Sequence, residues 1–119
     1  MKKNTGIMRL FYAGLYSWQG FKSALVNEAA FLQEFIALIM FSGLSFFLDV
    51  SSYERLAMIV SLLIILIVET LNSALECLVD RIGTGHHVLS GRAKDYGSLA
   101  VLLSIVMAIT IWTVILLEL

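Results

Sequence analysis

A run of thirteen residues, Leu56 to Val68, has Ser61 as its only polar member and leads without a turn signal into Glu69-Thr-Leu-Asn-Ser-Ala-Leu-Glu-Cys-Leu-Val-Asp80. No other feature restricts the fold so much. A helix apolar enough for a bilayer continues into one whose Glu69, Asn72, Glu76 and Asp80 stand at i, i+3, i+7 and i+11. On a 3.6-residue helix those four make one narrow stripe. A carboxylate deep in hydrocarbon costs about 2.5–3.5 kcal/mol on insertion scales, so such residues mark functional sites. The stripe reads as ligands for a shared cation, or a base beside one. Asp80, and Glu76 before it, also fit plain solvation in the headgroup region.

The same reasoning extends to the whole chain. Of its 119 residues, 60% are hydrophobic and 14% charged, against about a quarter charged in soluble domains. The expectation is a single all-α integral membrane protein over residues 1–119. Spans are expected at about 29–48, 56–78 and 96–117, each matching the roughly 20 residues needed to cross the bilayer. Gln33 and Glu34 lie near the start of the first span. Residues 7–26 read instead as an amphipathic surface helix, with Ile7, Phe11, Leu15, Trp18 and Leu25 on one side and Arg9, Tyr16 and Ser23 on another. Packing of that helix on other protein is the alternative. Lys2 and Lys3 open the chain, but Arg9 and Lys22 interrupt any signal-peptide core and no cleavage site follows.

The connections expected are Asp49 to Arg55, a short turn, and Arg81 to Asp95, longer and rich in charge. Lys2, Lys3, Arg9 and Lys22 precede the first span, Arg81, Arg92 and Lys94 lie in the second connection, and Arg55 alone lies in the first. The positive-inside rule puts the N-terminus and the second connection in the cytoplasm. A net charge of −1 argues against a nucleic-acid partner, and the single Cys77 excludes an intrachain disulfide and reads as a packing residue. Glu28 is shallow enough to be solvated or functional. Glu34, six residues on, is about 120° away around a helix, so the two are not expected to share a face.

The cytoplasmic end thus collects Arg9, Glu28, Glu69, Asn72, Glu76, Lys94 and Asp95. Two or three carboxylates and an amide suit Mg²⁺, which binds through one or two carboxylates plus substrate phosphates. Arg and Lys neutralise phosphate oxygens, and a remaining carboxylate can deprotonate a hydroxyl. Those are the parts phosphoryl transfer needs. There is no Walker A pattern and no kinase glycine loop, and the adjacent His86 and His87 read as a solvated loop. On residues alone, a carboxylate-based proton-coupled transporter competes with the enzyme.

Four segments reach further: Tyr16-Ser-Trp-Gln-Gly20; Asn27-Glu-Ala-Ala-Phe31 with Gln33-Glu34; Glu69 to Glu76 leading to Val79-Asp-Arg-Ile-Gly83; and Ser90-Gly-Arg-Ala-Lys-Asp-Tyr-Gly-Ser98. In order and over nearly the whole chain, they resemble the prokaryotic diacylglycerol kinase family. The resemblance implies a homotrimer in the bacterial inner membrane that uses MgATP to phosphorylate diacylglycerol to phosphatidic acid from the cytoplasmic side. By it, Glu69 matches the catalytic base, Glu28 and Glu76 the metal-coordinating pair, and Asn72 a polar residue beside the base. Arg9, Tyr16, Lys94, Asp95 and the stretch Gly85, His86, His87 match nucleotide contacts, with Glu28 and Glu76 reaching the nucleotide through the metal. Residues matching the lipid site are Arg9, Ala13, Gly14, Leu15, Tyr16, Ser17, Trp18, Ala30, Phe31, Leu32, Gln33, Glu34, Glu69, Asn72, Ser98 and Trp112. Gly85 and His86 depart from the family's acidic and aromatic residues, and Tyr12 from a basic one. The Gram-positive branch phosphorylates undecaprenol and is the alternative substrate class, although Asn27 to Phe31 and Asp95 to Ser98 look more like the diacylglycerol branch. Independently of the family, three helices cannot enclose both a nucleotide and a two-chain lipid, so association is expected.

Overall fold

The computed structural model describes residues 5–83 and 85–119 and is all helix and short turns. Four helices follow one another: α1 (Gly6–Asn27), α2 (Ala29–Ser45), α3 (Ser52–Ile82) and α4 (Val88–Leu117). The core is the antiparallel hairpin of α3 and α4; α2 packs on α3, and α1 packs on α2. Among the described residues, α3 and α4 are each long and apolar enough to cross a membrane. A third crossing passes the same test only if α1 and α2, joined at a 106° bend, are taken together.

Each boundary has a local cause. Helix α3 opens on a capping box: Glu54 N–H donates to Ser51 Oγ at 3.1 Å, and Ser51 N–H to Glu54 Oε1 at 2.8 Å. Arg55 reaches back to the end of α2, where its guanidinium donates to Ser45 O at 3.0 Å and Leu48 O at 3.3 Å. The same carbonyls also accept from Leu48 N–H at 3.3 Å and Val50 N–H at 3.0 Å, so Arg55 adds a second donor to each, and its guanidinium lies 5.1 Å from the Phe46 ring centre. At the other end His87 caps α4, its Nδ1 accepting from Leu89 N–H at 3.1 Å.

The α1–α2 corner is made at Glu28, whose backbone is extended rather than helical. Phe21 holds the corner shut, meeting Phe31 edge-on at 6.0 Å and Phe35 edge-on at 5.1 Å, with Trp18 stacked on it at 5.9 Å. Trp18 therefore packs at the bend as well as sitting on the outer surface.

Two expectations about connections need correction. The long loop expected over Arg81–Asp95 shrinks to residues 83–87, because α4 starts at Val88 and carries Arg92, Lys94 and Asp95 on its first turns. A run of charges does not end a helix, because helical backbone is indifferent to side-chain charge where solvent can reach it. Likewise Tyr53, Glu54 and Arg55 belong to α3, not to the first turn. At 31 residues α3 is about 46 Å long, well beyond a ~30 Å hydrocarbon core, so its ends reach past the apolar layer.

Little of the chain is buried within itself. Phe31, Met58, Ile65, Val79, Ala108 and Ile115 are the buried apolar residues, while the outer faces of α2 and α4 display Ile39, Met40, Leu102, Leu103, Val106 and Ile109. Such a surface belongs in lipid or against further protein. Cys77 lies on that exposed side rather than in a packed interior. Lys2 and Lys3, used above for orientation, lie outside the described residues.

Candidate active site

Polarity along α3 is graded. Glu69 is 7% exposed and Asn72 9%, Glu76 is half-buried and Asp80 exposed. One face of a single helix thus runs from dry to wet over about 16 Å, from Glu69 to Asp80. Within it Asn72 Nδ2 donates to Glu76 Oε1 at 3.3 Å. A carboxylate accepts only, so the amide nitrogen is the end that faces it.

Around Glu69 the fold gathers acids from two other places. Glu28 arrives from the α1–α2 corner and Glu34 from the second turn of α2; the charges of Glu28 and Glu76 reach Glu69, and that of Glu69 reaches Glu34. Glu28 is the extended N-cap of α2, so the bend rather than a helix angle sets its direction relative to Glu34. Glu34 Oε2 is buried without a hydrogen-bond partner. Four carboxylates around a buried position is a costly arrangement unless something positive or a proton joins them.

One to three turns further along α3, a polar pocket opens between its last turn and the start of α4. Asp80, Gly83, Gly85, His86, His87, Ser90 and Lys94 line it. Lys94 Nζ there bonds Asp80 Oδ1 at 2.8 Å, with both side chains about half exposed. That hydrogen bond, and the charge of Asp80, raise the Lys94 ammonium above the ordinary lysine range at a level before the apolar run beginning at Tyr96. At the far end, Trp112 donates from Nε1 to Met58 O at 3.1 Å and meets Phe41 edge-on at 5.7 Å. Phe41, Leu62, Ile65, Ala108, Ile109 and Trp112 line an apolar groove that stops one helical turn short of Glu69.

The residues expected to act together are therefore only partly assembled by one chain. Glu69, Asn72 and Glu76 share one face of α3, with Glu28 and Glu34 near Glu69; Gly85, His86, His87 and Lys94 share the adjoining pocket. Asp95 and Ser98 are exposed on α4, the latter beside the buried Gly97. Ala30, Leu32 and Gln33 are exposed on α2, whereas Phe31 is buried in the corner. On α1, Arg9, Ala13, Gly14, Leu15, Tyr16, Ser17 and Trp18 are all exposed. No hydrogen bond or ion pair among the described residues links Arg9 or Tyr16 to the stripe; Tyr16 stacks on Tyr12.

The donor set suits Mg²⁺. Glu28 and Glu76 flank Glu69, and a hard cation takes one or two protein carboxylates. Among the described residues no three acidic, histidine or cysteine side chains converge on one point, so phosphate and water would have to supply the other positions. Sequence reasoning missed Asp80 as the partner of Lys94, and it missed Gly97, packed against Asn72.

A helical hairpin apolar on its outside, carrying a buried carboxylate beside a polar pocket at one end, is that of an integral membrane protein. Residues 15–116 match the prokaryotic diacylglycerol kinase family. The chain is 47% identical to the diacylglycerol kinase of Escherichia coli strain K12 over 112 residues, covering 94% of this chain and 92% of the relative. The diacylglycerol kinase of Haemophilus influenzae is likewise 47% identical, over 94% and 95% of the two chains. That of Pseudomonas aeruginosa is 43% identical over 98% and 94%. The chain belongs to the prokaryotic diacylglycerol kinase family.

Proposed function

We propose that this chain is an ATP-dependent kinase that phosphorylates diacylglycerol to phosphatidic acid, acting as a homotrimer at the cytoplasmic face of a bacterial inner membrane. The observation that carries the reading is the buried Glu69 carboxylate, set between the apolar groove and the polar pocket, with Glu28, Glu34 and Glu76 around it. Lipid can approach from one side and nucleotide from the other, and the two meet at that residue.

In this mechanism an acyl chain lies along the groove of Phe41, Ile65, Ala108 and Trp112, and the glycerol hydroxyl comes to Glu69. Glu69 accepts the hydroxyl proton as the oxygen attacks the γ-phosphorus in line. The new O–P bond forms as the bond to the β-phosphate oxygen breaks, and ADP leaves. Glu28 and Glu76 would hold Mg²⁺, which supplies charge neutralisation on the phosphate oxygens when bound. Lys94 exchanges its Asp80 partner for a phosphate, a small cost because the ion pair is solvent-exposed and screened. Gly85, His86, His87, Asp95, Arg9 and Tyr16 complete the nucleotide site, and the α1 residues from Ala13 to Trp18, with Ala30 to Glu34 and Ser98, border the lipid.

Helix α2 serves as the third span with α1 lying flat, which the 106° corner supports. Trimerisation covers part of the exposed apolar surface and brings α1 of one subunit to the stripe of another. Purified protein with MgATP labelled at the γ-phosphate should give labelled phosphatidic acid from diacylglycerol. Folded protein that labels neither diacylglycerol nor undecaprenol refutes the kinase reading, and labelling of undecaprenol alone refutes the substrate.

A further inference from the structure

Where α4 crosses the polar stripe of α3 it presents Gly97, buried in the hairpin. A Cβ on Gly97 would collide with Asn72 Oδ1 and would lie 3.1 Å from Asn72 Cγ and 3.3 Å from Leu75 Cδ2. Each of the other glycines has nothing within 4 Å of such a Cβ, so close approach is special to this position. The amide carbonyl pressed onto Gly97 is buried and has no hydrogen-bond partner. Its other end is the Nδ2 that donates to Glu76.

An unpartnered buried carbonyl is unfavourable, and an amide free to turn would not hold that pose. The bare Cα of Gly97 makes room for it, and the α4 backbone walls it in. The obstacle that an added methyl meets is a side-chain tip, not the α3 backbone. The helices therefore need not part; the Asn72 amide must swing away, and Glu76 loses its donor.

We propose that Gly97 is a positioning residue, the seat that fixes the Asn72 amide so that Nδ2 orients the Glu76 carboxylate for its cation. This rests on the reading of Glu76 as a metal ligand given above. Removing the partner that orients a metal ligand typically costs about 10–100-fold in metal affinity or activity.

The test uses the full-length protein in detergent micelles, as wild type, Gly97→Ala, Asn72→Ser and the double variant. Two quantities are read: Tm without metal, and the Mg²⁺ concentration giving half-maximal kinase activity. Alanine is the better helix former, so without a clash Gly97→Ala should raise Tm. The expected result is a change of sign. Gly97→Ala lowers Tm in the wild-type background and raises it in the Asn72→Ser background, where the colliding amide is gone. Gly97→Ala alone should also raise the Mg²⁺ requirement at least about tenfold, with the lipid KM within about twofold. A Tm that rises in both backgrounds, or falls equally in both, overturns the seat. A change of sign with an unaltered Mg²⁺ requirement overturns the link to Glu76, and Glu76→Gln then locates the fault. If Glu76→Gln raises the requirement, the Gly97 step has failed; if it does not, the metal reading has.

Discussion

Replacing Glu69 by Gln isolates its proton from everything else the residue does. Glutamine has the same length and shape, so the buried position remains filled. Its amide gains two donors in a place where Glu28, Glu34 and Glu76 all bring acceptor oxygens. Removing an acidic group from a buried position should leave Tm at or above that of wild type, and assembly intact. What is lost is a group able to take the hydroxyl proton. General-base catalysis contributes about 10²–10⁴ in rate, so kcat should fall at least a hundredfold with the lipid KM little changed. Glu69→Asp provides the complementary control: it keeps the base but withdraws it by one carbon–carbon bond, about 1.5 Å. Misplacement by about 1 Å can cost a hundredfold, so kcat should fall there as well. The measurement is transfer of labelled γ-phosphate to diacylglycerol in mixed micelles, at saturating lipid and Mg²⁺. A Glu69→Gln enzyme within about tenfold of wild-type kcat refutes the role of Glu69 as base, because a base cannot be worth so little.

Glu76→Gln and Glu28→Gln should each raise the Mg²⁺ concentration needed for half-maximal activity; unchanged Mg²⁺ dependence in either variant removes that residue from the ligand set. Trp112→Phe keeps the edge-on contact with Phe41 and deletes one hydrogen bond to Met58 O, which Ser61 Oγ still satisfies at 2.7 Å. The cost in stability should therefore be near 0.5–1 kcal/mol, read from Tm, and a loss above about 3 kcal/mol would show the ring was displaced. Arg55→Met removes the guanidinium bonds to Ser45 O and Leu48 O, which keep Leu48 N–H and Val50 N–H as donors, and should destabilise by about 0.5–1.5 kcal/mol, while kcat of the folded enzyme stays at the wild-type level; a fall in kcat would mean the far turn is coupled to the site.

How legible was this molecule in its residues? The apolar run into Glu69 placed α3, and helical spacing put Glu69, Asn72, Glu76 and Asp80 on one face, because both depend only on local geometry. The acids from elsewhere were harder. Glu28 comes near Glu69 because the chain bends there at an aromatic corner of Trp18, Phe21, Phe31 and Phe35, and no periodicity announces a bend. The α3–α4 register was hidden for a simpler reason. Reading charge as loop stretched the connection to Arg81–Asp95, and a long loop leaves register open. With the connection at 83–87, residues nearly equidistant from position 85 must face each other. Asn72 meets Gly97 and Met58 meets Trp112, pairs that a shorter loop would have made readable.

That register is also what joins the two halves of the chemistry. Helix α3 alone offers a gradient from a buried acid to an exposed one, with nothing facing it. Helix α4, hinged at 83–87 and antiparallel, brings Lys94 beside Asp80 at the wet end, Gly97 beside Asn72 in the middle and Trp112 beside Met58 at the dry end. Its first turns are charged and its remainder apolar, so the second gradient runs alongside the first. Shifting the hairpin by one residue would turn Gly97 away from Asn72 by about 100° and put a larger side chain in its place. A methyl-free position opposite Asn72 therefore fixes the register of the hairpin as well as the pose of the amide.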